Sequence, residues 1–377
     1  MPNREITRLK ALFVLDRLQD GGAQIQALDL AAGLISAGIP CRAVALYAEA
    51  SRSRHMGVET CGLGVSARAT SFPLACLRLL NICRRERPDF VHSHAEAANL
   101  ASRIVCRWLG LPHFVTAHSE FPWNWRRKPG VAIDRHSSFL THRSFAVSAS
   151  VGRMLREELH IPPDRIRVIP NWPPRHAESR DGAPMPARGF PTIVHVARLQ
   201  KLKRQDILLE AFREVRRHFP EAVLWIAGDG PEAPSLRAIG GDGVLFLGHR
   251  LDVPQLLRAA DLFVLSSDWE GMPLSVLEAM SEGVPVVSTD VAGISDLLRN
   301  GVSGRIVPRG NSAALAEAMI ECLNNPEKAR AMGATGKTAC DGLRDRGVAS
   351  YIASYREVLS GLGEGTGGQS PRDEFIS

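Results

Sequence analysis

No C-x-x-C pair occurs among the seven cysteines (Cys41, Cys61, Cys76, Cys83, Cys106, Cys322 and Cys340), and their number is odd. That excludes a disulfide framework and a zinc ribbon, and it suits a reducing compartment. No apolar run approaches the length needed to cross a bilayer. The first residues, MPNREITRLK, lack the apolar core of a secretory signal. The expectation is a cytoplasmic protein, at most peripheral to the inner face of the membrane. No G-x-G-x-x-G follows the first apolar run, which disfavours a nicotinamide dinucleotide site and with it a dehydrogenase. No repeat of solenoid length is present either.

What the chain does have is length and an uneven charge. At 377 residues it exceeds one ordinary core, so two domains are expected. Residues 1–185 hold 25 Lys and Arg against 16 Asp and Glu, whereas residues 186–377 hold 21 against 24. A basic first half suits phosphate-bearing ligands, an acidic lipid surface or nucleic acid; a solvated basic face with no partner accounts for it equally well.

Short apolar runs alternate with amphipathic segments along the whole chain. Strands are read at ALFVLDRL, CRAVALY, DFVHSHA, HFVTAHS, SFAVSAS and IRVIPN. Near residue 172 the rhythm breaks at WPPRHAESRDGAPMPARGFP, which is rich in Pro, Gly and charge and reads as a linker. The alternation then restarts with TIVHVARL, AVLWIAGDG, VLFLGHR, LFVLSS, PVVST and GRIVP. This is the βαβ rhythm of parallel sheets, so the fold class is α/β with two tandem Rossmann-like domains flanking a cleft. Helices close the fold between about residues 312 and 360, and GLGEGTGGQSPRDEFIS reads as a disordered tail.

In open α/β sheets, ligands bind beyond the carboxyl ends of the strands. Residues just after a strand are therefore the candidates. Gly21 and Gly22 open the first helix, where backbone can approach an anion, although two glycines are also a simple turn. Arg198 ends the strand TIVHV and Lys203 follows five residues later; two fixed cations at a loop–helix junction suit a diphosphate, or form a solvated basic loop. Gly228 lies in the turn GDGP and Arg250 closes GHR. In DWEGMPLSVLEAM, Glu270 falls in a loop and Glu278 on the helix that starts near Leu274, so both could accept hydrogen bonds from ligand hydroxyls. His92, His94 and His118 end strands of the first half; no carboxylate–histidine spacing supports a metal site there. Phe121, Trp123 and Trp125 beside Arg126, Arg127 and Lys128 suit a membrane interface, an acceptor platform or a packed loop.

In order, GGAQIQALDLAAGL, VTAHS, RVIPNW, VARLQKLKRQD, IAGDGPE, FLGHR, EGMPLSVLEAM and GVPVVSTDVAGISDLL resemble the retaining glycosyltransferases of family four, which have the two-domain GT-B architecture. The resemblance covers nearly the whole chain. It implies an acceptor-binding domain over 1–172, a linker over 173–190 and a nucleotide-sugar domain over 191–345. A helix over 346–362 would pack back on the first domain, ahead of a disordered tail over 363–377. Arg198 and Lys203 would hold the donor diphosphate, and Glu278 the ribose. Glu270 with the backbone of Gly271, Met272, Pro273 and Leu274 would hold the donor sugar. Gly22, Gly228 and Arg250 would complete the donor site, and His118 would lie beside the transferred sugar. His94, Glu96, Trp123 and Trp125 are the expected acceptor contacts. The catalytic set is then His118, Arg198, Lys203 and Glu270.

No metal or other cofactor is expected, because the cations and helix termini can offset the leaving charge. The donor implied is a UDP-sugar, or alternatively GDP-mannose; the acceptor is a glycan or a lipid-linked glycan of cell-surface polysaccharide assembly. Contact with an anionic membrane is expected, and nucleic acid is not a partner. The pattern is not followed at Gln24, Leu202, Ala292 and Asp296, none of which carries a proposed contact. A sugar-nucleotide epimerase of the same architecture and a non-catalytic nucleotide-sugar-binding protein are the rivals.

Overall fold

The computed structural model describes residues 9–18, 21–48, 52–120, 129–175, 184–188 and 190–364. The chain divides into two units, one made of residues 1–171 and 344–377 and the other of residues 172–343.

The first unit is built on an eight-stranded sheet. Its strands are β1 (Ala11–Leu15), β2 (Cys41–Ala45), β3 (Arg52–His55), β4 (Val58–Gly62), β5 (Phe90–His94), β6 (His113–Ala117), β7 (Arg143–Ala146) and β8 (Ile166–Val168). They lie in the order β3-β4-β2-β1-β5-β6-β7-β8, all parallel except β3 against β4. The helices are α1 (Gly22–Ser36), α2 (Phe72–Glu86), α3 (Glu96–Leu109), α4 (Pro129–Ser137) and α5 (Ala149–Glu157). β1, β5 and β7 are buried along their whole length; β1 is an unbroken apolar run, whereas β5 and β7 bury His92, Ser93, His94, Arg143 and Ser144 among their apolar residues.

The second unit carries β9 (Thr192–Val196), β10 (Val223–Ala227), β11 (Val244–Gly248), β12 (Leu262–Leu265), β13 (Val286–Thr289) and β14 (Arg305–Val307). Their order, β11-β10-β9-β12-β13-β14, is fully parallel. This is the doubly wound arrangement, in which the chain reverses its direction of winding between β9 and β12. In the first unit the same reversal falls between β1 and β5. The helices α6 (Gln205–His218), α7 (Ala233–Ile239), α8 (Val253–Ala259), α9 (Leu274–Ser281), α10 (Ile294–Leu297), α11 (Ser312–Asn324) and α12 (Pro326–Cys340) cover this sheet. Its core joins Ile193, Leu224, Ile226, Leu262 and Val264 to Leu208, Phe212, Leu315 and Met319 of the helices.

The last helix, α13 (Leu343–Glu364), belongs to the first unit. Tyr355 is fully buried, with its ring 4.5 Å from Phe90 and 4.8 Å from Phe114. Arg344 reaches the buried Asp29 of α1 at 2.9 Å. The polar segment around residues 52–62, which carries no apolar strand pattern, forms the hairpin β3–β4. α13 runs through Glu364; the rest of the tail expected over 363–377 lies outside the described residues.

Candidate functional site

In the second unit, the segments after β9 and β12 meet at the winding reversal. After β9 the chain runs through Ala197, Arg198 and Leu199 into a tight turn over Lys201–Lys203, and α6 follows. After β12 come Ser266, Ser267, Asp268, Trp269 and Glu270, and then α9. The two segments are stitched together. Ser266 Oγ donates to the carbonyl of Lys203 at 2.8 Å, and the Asp268 N–H donates to the carbonyl of Leu202 at 2.8 Å. Arg204 pairs with Asp268 at 2.9 Å. At the centre, Lys203 Nζ lies 2.5 Å from Glu270 Oε1, which also accepts from Ser267 Oγ at 2.8 Å. Ser267 is itself anchored, because its carbonyl accepts from Thr289 Oγ1 at 2.6 Å.

Lys203 and Ser267 both meet Glu270 at Oε1, so Oε2 keeps its lone pairs for an incoming donor such as a hydroxyl. Lys203 and Glu270 are each mostly buried, at 18% and 11% side-chain exposure. Arg198 is exposed, and no described carboxylate pairs with its guanidinium. A cation free to meet an anion thus stands five residues from one already oriented by a carboxylate.

The loop carrying Arg198 is held from below by side chains outside the sequence motifs. His195, fully buried on β9, donates from Nδ1 to the carbonyl of Val264 at 2.8 Å. Its Nε2 then accepts from Gln205 Nε2 at 3.2 Å, and the second amide hydrogen of Gln205 goes to the carbonyl of Arg198, also at 3.2 Å. Burial pushes the His195 imidazole down to about 4, so it stays neutral and keeps this tautomer. A histidine inside the apolar strand TIVHV is the sequence signal for it.

Two glycines press the next loop against the first. A Cβ at Gly228, where φ is +140°, would lie 1.9 Å from the carbonyl oxygen of Ala197; one at Gly230 would lie 2.3 Å from that of Leu199. Only glycine allows backbone to approach this closely. The Leu199 N–H donates to the carbonyl of Asp229 at 2.9 Å, locking the two loops.

Gly271, Met272 and Pro273 are buried at the start of α9, whose first residue is Leu274. Pro273, at the cap position, supplies no side-chain acceptor to the first turn of α9. Glu278 sits one turn further on and is 9% exposed. The Arg250 guanidinium forks onto Asp252 with two bonds of 2.7 Å, and both side chains are buried. It holds the loop after β11.

In the first unit the carboxyl ends of β1, β5 and β6 gather a second cluster. Asp16, directly after β1, accepts from the Ala98 N–H at 2.7 Å and so caps α3 from the neighbouring strand. Burial pushes its carboxyl up to about 6, against the pull of the backbone donors. Between β5 and α3, Ala95 takes φ +78° and ψ 162°, a region costly for any residue with a Cβ. Glu96 is the first residue of α3 and raises the Asp16 carboxyl further. His94 Nδ1 lies 2.9 Å from His118 Nε2. Burial pushes the His118 imidazole down to about 4, and His94 well below its usual value.

His94 is 2% exposed and stacked 5.5 Å from Phe13. The ring packs inside the first unit with its Nδ1 toward His118. His92 is wholly internal, bonded to Tyr355 Oη at 2.7 Å and Thr116 Oγ1 at 2.8 Å. Gly22 is the first residue of α1 and is exposed; Gln24 Oε1 lies over the neighbouring Gly21, where a Cβ would meet it at 2.6 Å. Trp123 and Trp125, with the rest of residues 121–128, lie outside the described residues. No helix among the described residues is long and apolar enough to cross a membrane. Among them, no group of three or more His, Cys, Asp or Glu is placed to hold a metal ion.

Two doubly wound units, each with polar groups gathered at a winding reversal, are the architecture of the GT-B fold. Comparison with known proteins agrees. Residues 20–172 match the family described as Glycosyltransferase Family 4, and residues 190–325 match Glycosyl transferases group 1. The chain belongs to this family of glycosyltransferases. It is 26% identical over 265 residues to the Escherichia coli UDP-Gal:alpha-D-GlcNAc-diphosphoundecaprenol alpha-1,3-galactosyltransferase, covering 65% of this chain and 68% of that one. It is 32% identical over 174 residues to the N-acetyl-alpha-D-glucosaminyl L-malate synthase of Bacillus anthracis, covering 44% and 45%. The crystal structure of Anabaena Alr3699/HepE in complex with UDP and glucose superposes with a TM-score of 0.77 at 18% identity, over 94% of this chain and all of that one.

Proposed function

We propose that this glycosyltransferase moves a hexosyl group from a UDP-sugar to a lipid-linked glycan acceptor with retention of anomeric configuration. The observation that carries the reading is the Lys203–Glu270 pair beside Arg198, which meets no described carboxylate, held across the winding reversal of the second sheet. Lys203 and Arg198 would receive the donor diphosphate, and Glu270 Oε2 with the N–H groups at the start of α9 would receive sugar hydroxyls. Glu278 would accept from the ribose, and Gly22 would let backbone approach the phosphates. His118 would donate to a hydroxyl of the transferred sugar, and Glu96 would serve the acceptor.

In the reaction the anomeric carbon–oxygen bond to the diphosphate breaks and its electron pair leaves with the phosphate. The acceptor oxygen bonds the anomeric carbon from that same face and passes its proton to the leaving phosphate. Preorganised cations stabilise the charge as it develops, which is the step where such groups contribute most. No metal is required in this scheme. UDP as the carrier is supported by the UDP named in the E. coli relative and in the HepE complex. A lipid-diphosphate acceptor is supported by the name of the same relative and by the excess of 25 basic over 16 acidic residues in the first 185.

The test is thermal stabilisation by UDP and by GDP, followed by product analysis. A ligand at a hundredfold its dissociation constant adds about 2.7 kcal/mol. Stabilisation by UDP and not GDP, with an α-linked product on an undecaprenyl-diphosphate glycan, is the expected result. Stabilisation by GDP alone, or an altered nucleotide sugar formed without acceptor, would overturn the reading.

A further inference from the structure

We propose that His94 is a positioning residue that fixes the tautomer of His118, so that His118 presents an Nδ1–H donor to its ligand. The inference rests on the reading above for what that donor serves, but not for the tautomer itself. The bond between His94 Nδ1 and His118 Nε2, at 2.9 Å, joins two neutral rings, so one nitrogen carries the hydrogen and the other accepts it. Which one is decided by the far side of His94. Its Nε2 is buried and meets no hydrogen-bond partner among the described residues. The ring lies against Phe13 at 5.5 Å and His92 at 4.3 Å.

If Nε2 of His94 carried the hydrogen, a buried N–H would be orphaned, and that is the rarer and costlier state than a bare lone pair. The hydrogen of His94 therefore sits on Nδ1 and is donated to His118. His118 Nε2 then serves as acceptor, and its own hydrogen is on Nδ1, for which no described residue is a partner. The tautomer at one histidine nitrogen is set by the bond the other makes, and here that bond comes from the buried ring of His94.

His92, the nearest other imidazole, is engaged at both nitrogens by Tyr355 and Thr116 and does not compete for His118.

The test uses the full chain labelled with ¹⁵N at histidine. Long-range ¹H–¹⁵N spectra at pH 7.5 should show His118 with Nδ1 protonated and Nε2 bare. In His94→Leu the donor is gone, so the His118 pattern should change, and kcat should fall roughly tenfold, as when the partner that orients a functional histidine is removed. In His94→Asn, whose amide nitrogen can take the place of Nδ1, the wild-type pattern and most of kcat should return. A His118 protonated at Nε2 in the wild type overturns the proposal, and so does a His94→Leu variant with an unchanged spectrum. If the spectra are as stated but His118→Ala turns over normally, the tautomer assignment stands and the role given to His118 in catalysis falls.

Discussion

Replacing Lys203 by Met keeps most of the buried stem and deletes the ammonium, which separates a structural cost from a catalytic one. In the folded protein the ammonium makes one short charge-assisted bond, 2.5 Å to Glu270, with both side chains mostly buried. Such a bond contributes about 1.5–3 kcal/mol. Glu270 keeps its bond from Ser267 at 2.8 Å and some solvent contact, which limits the damage. We expect a loss of about 2 kcal/mol, or a fall of roughly 4–8 °C in Tm for a unit of this size.

Turnover should suffer more. Removing one preorganised donor from a developing negative charge costs about 10²–10³-fold in kcat. Urea unfolding and a UDP-release assay on the same preparation, with Glu270→Gln and the double variant beside it, measure both effects. The double variant should lose less stability than the two single losses added together, because each single change strands a partner. Turnover within a factor of about three of wild type, with the stability loss present, would leave Lys203 as a structural ion-pair partner and remove the diphosphate assignment.

Gly228→Ala places a methyl group 1.9 Å from a backbone oxygen at a φ of +140°, so the two loops must part; a loss of about 4 kcal/mol or more is expected in urea unfolding, and a variant as stable as wild type would refute the close approach. Asp16→Asn should stabilise the protein, with an effect that depends on pH. Folding raises the Asp16 carboxyl from 3.8 to about 6, so its contribution is fully present below pH 3.8 and is lost as pH rises through 6. The Asn variant should therefore gain little near pH 4 and about 3 kcal/mol at pH 8, since each tenfold change in proton affinity on folding is worth about 1.4 kcal/mol. A variant less stable than wild type at pH 8 would show that Asp16 is held as a favourable helix cap and not as a desolvated carboxyl.

The central strands of the second sheet were legible because burial on both faces writes them as largely apolar runs; β9, β10 and β12 fall inside TIVHVARL, AVLWIAGDG and LFVLSS. The β3–β4 hairpin was not. It sits at the sheet edge, where Arg54, His55 and Glu59 are tolerated and even useful, and its turn uses Met56 at φ 51° before Gly57. The helical end at Glu364 was hidden by Gly361 and Gly363, residues that weaken a helix without ending it when an earlier turn is packed as firmly as Tyr355. Site residues were legible as types in position: a cation, a loop carboxylate or a histidine after a strand. Their partners were not. Nothing local tells that Lys203 pairs with a residue 67 positions on, or that Phe13 and His118 enclose His94.

The return of α13 to the first unit sets an order of events during synthesis. The sheet that begins at Ala11 has every strand in hand once Val168 emerges. Yet its buried Asp29 awaits Arg344, its His92 awaits the Tyr355 hydroxyl, and the face formed by Phe90 and Phe114 awaits the Tyr355 ring. At typical ribosomal speed the intervening segment takes roughly 10–35 s to make. Residues 172–343 are contiguous and depend on nothing that comes later in this sense, so the unit encoded second is the first able to finish. The nascent first sheet must meanwhile keep the face formed by Phe90 and Phe114 open, an apolar surface for a chaperone to cover.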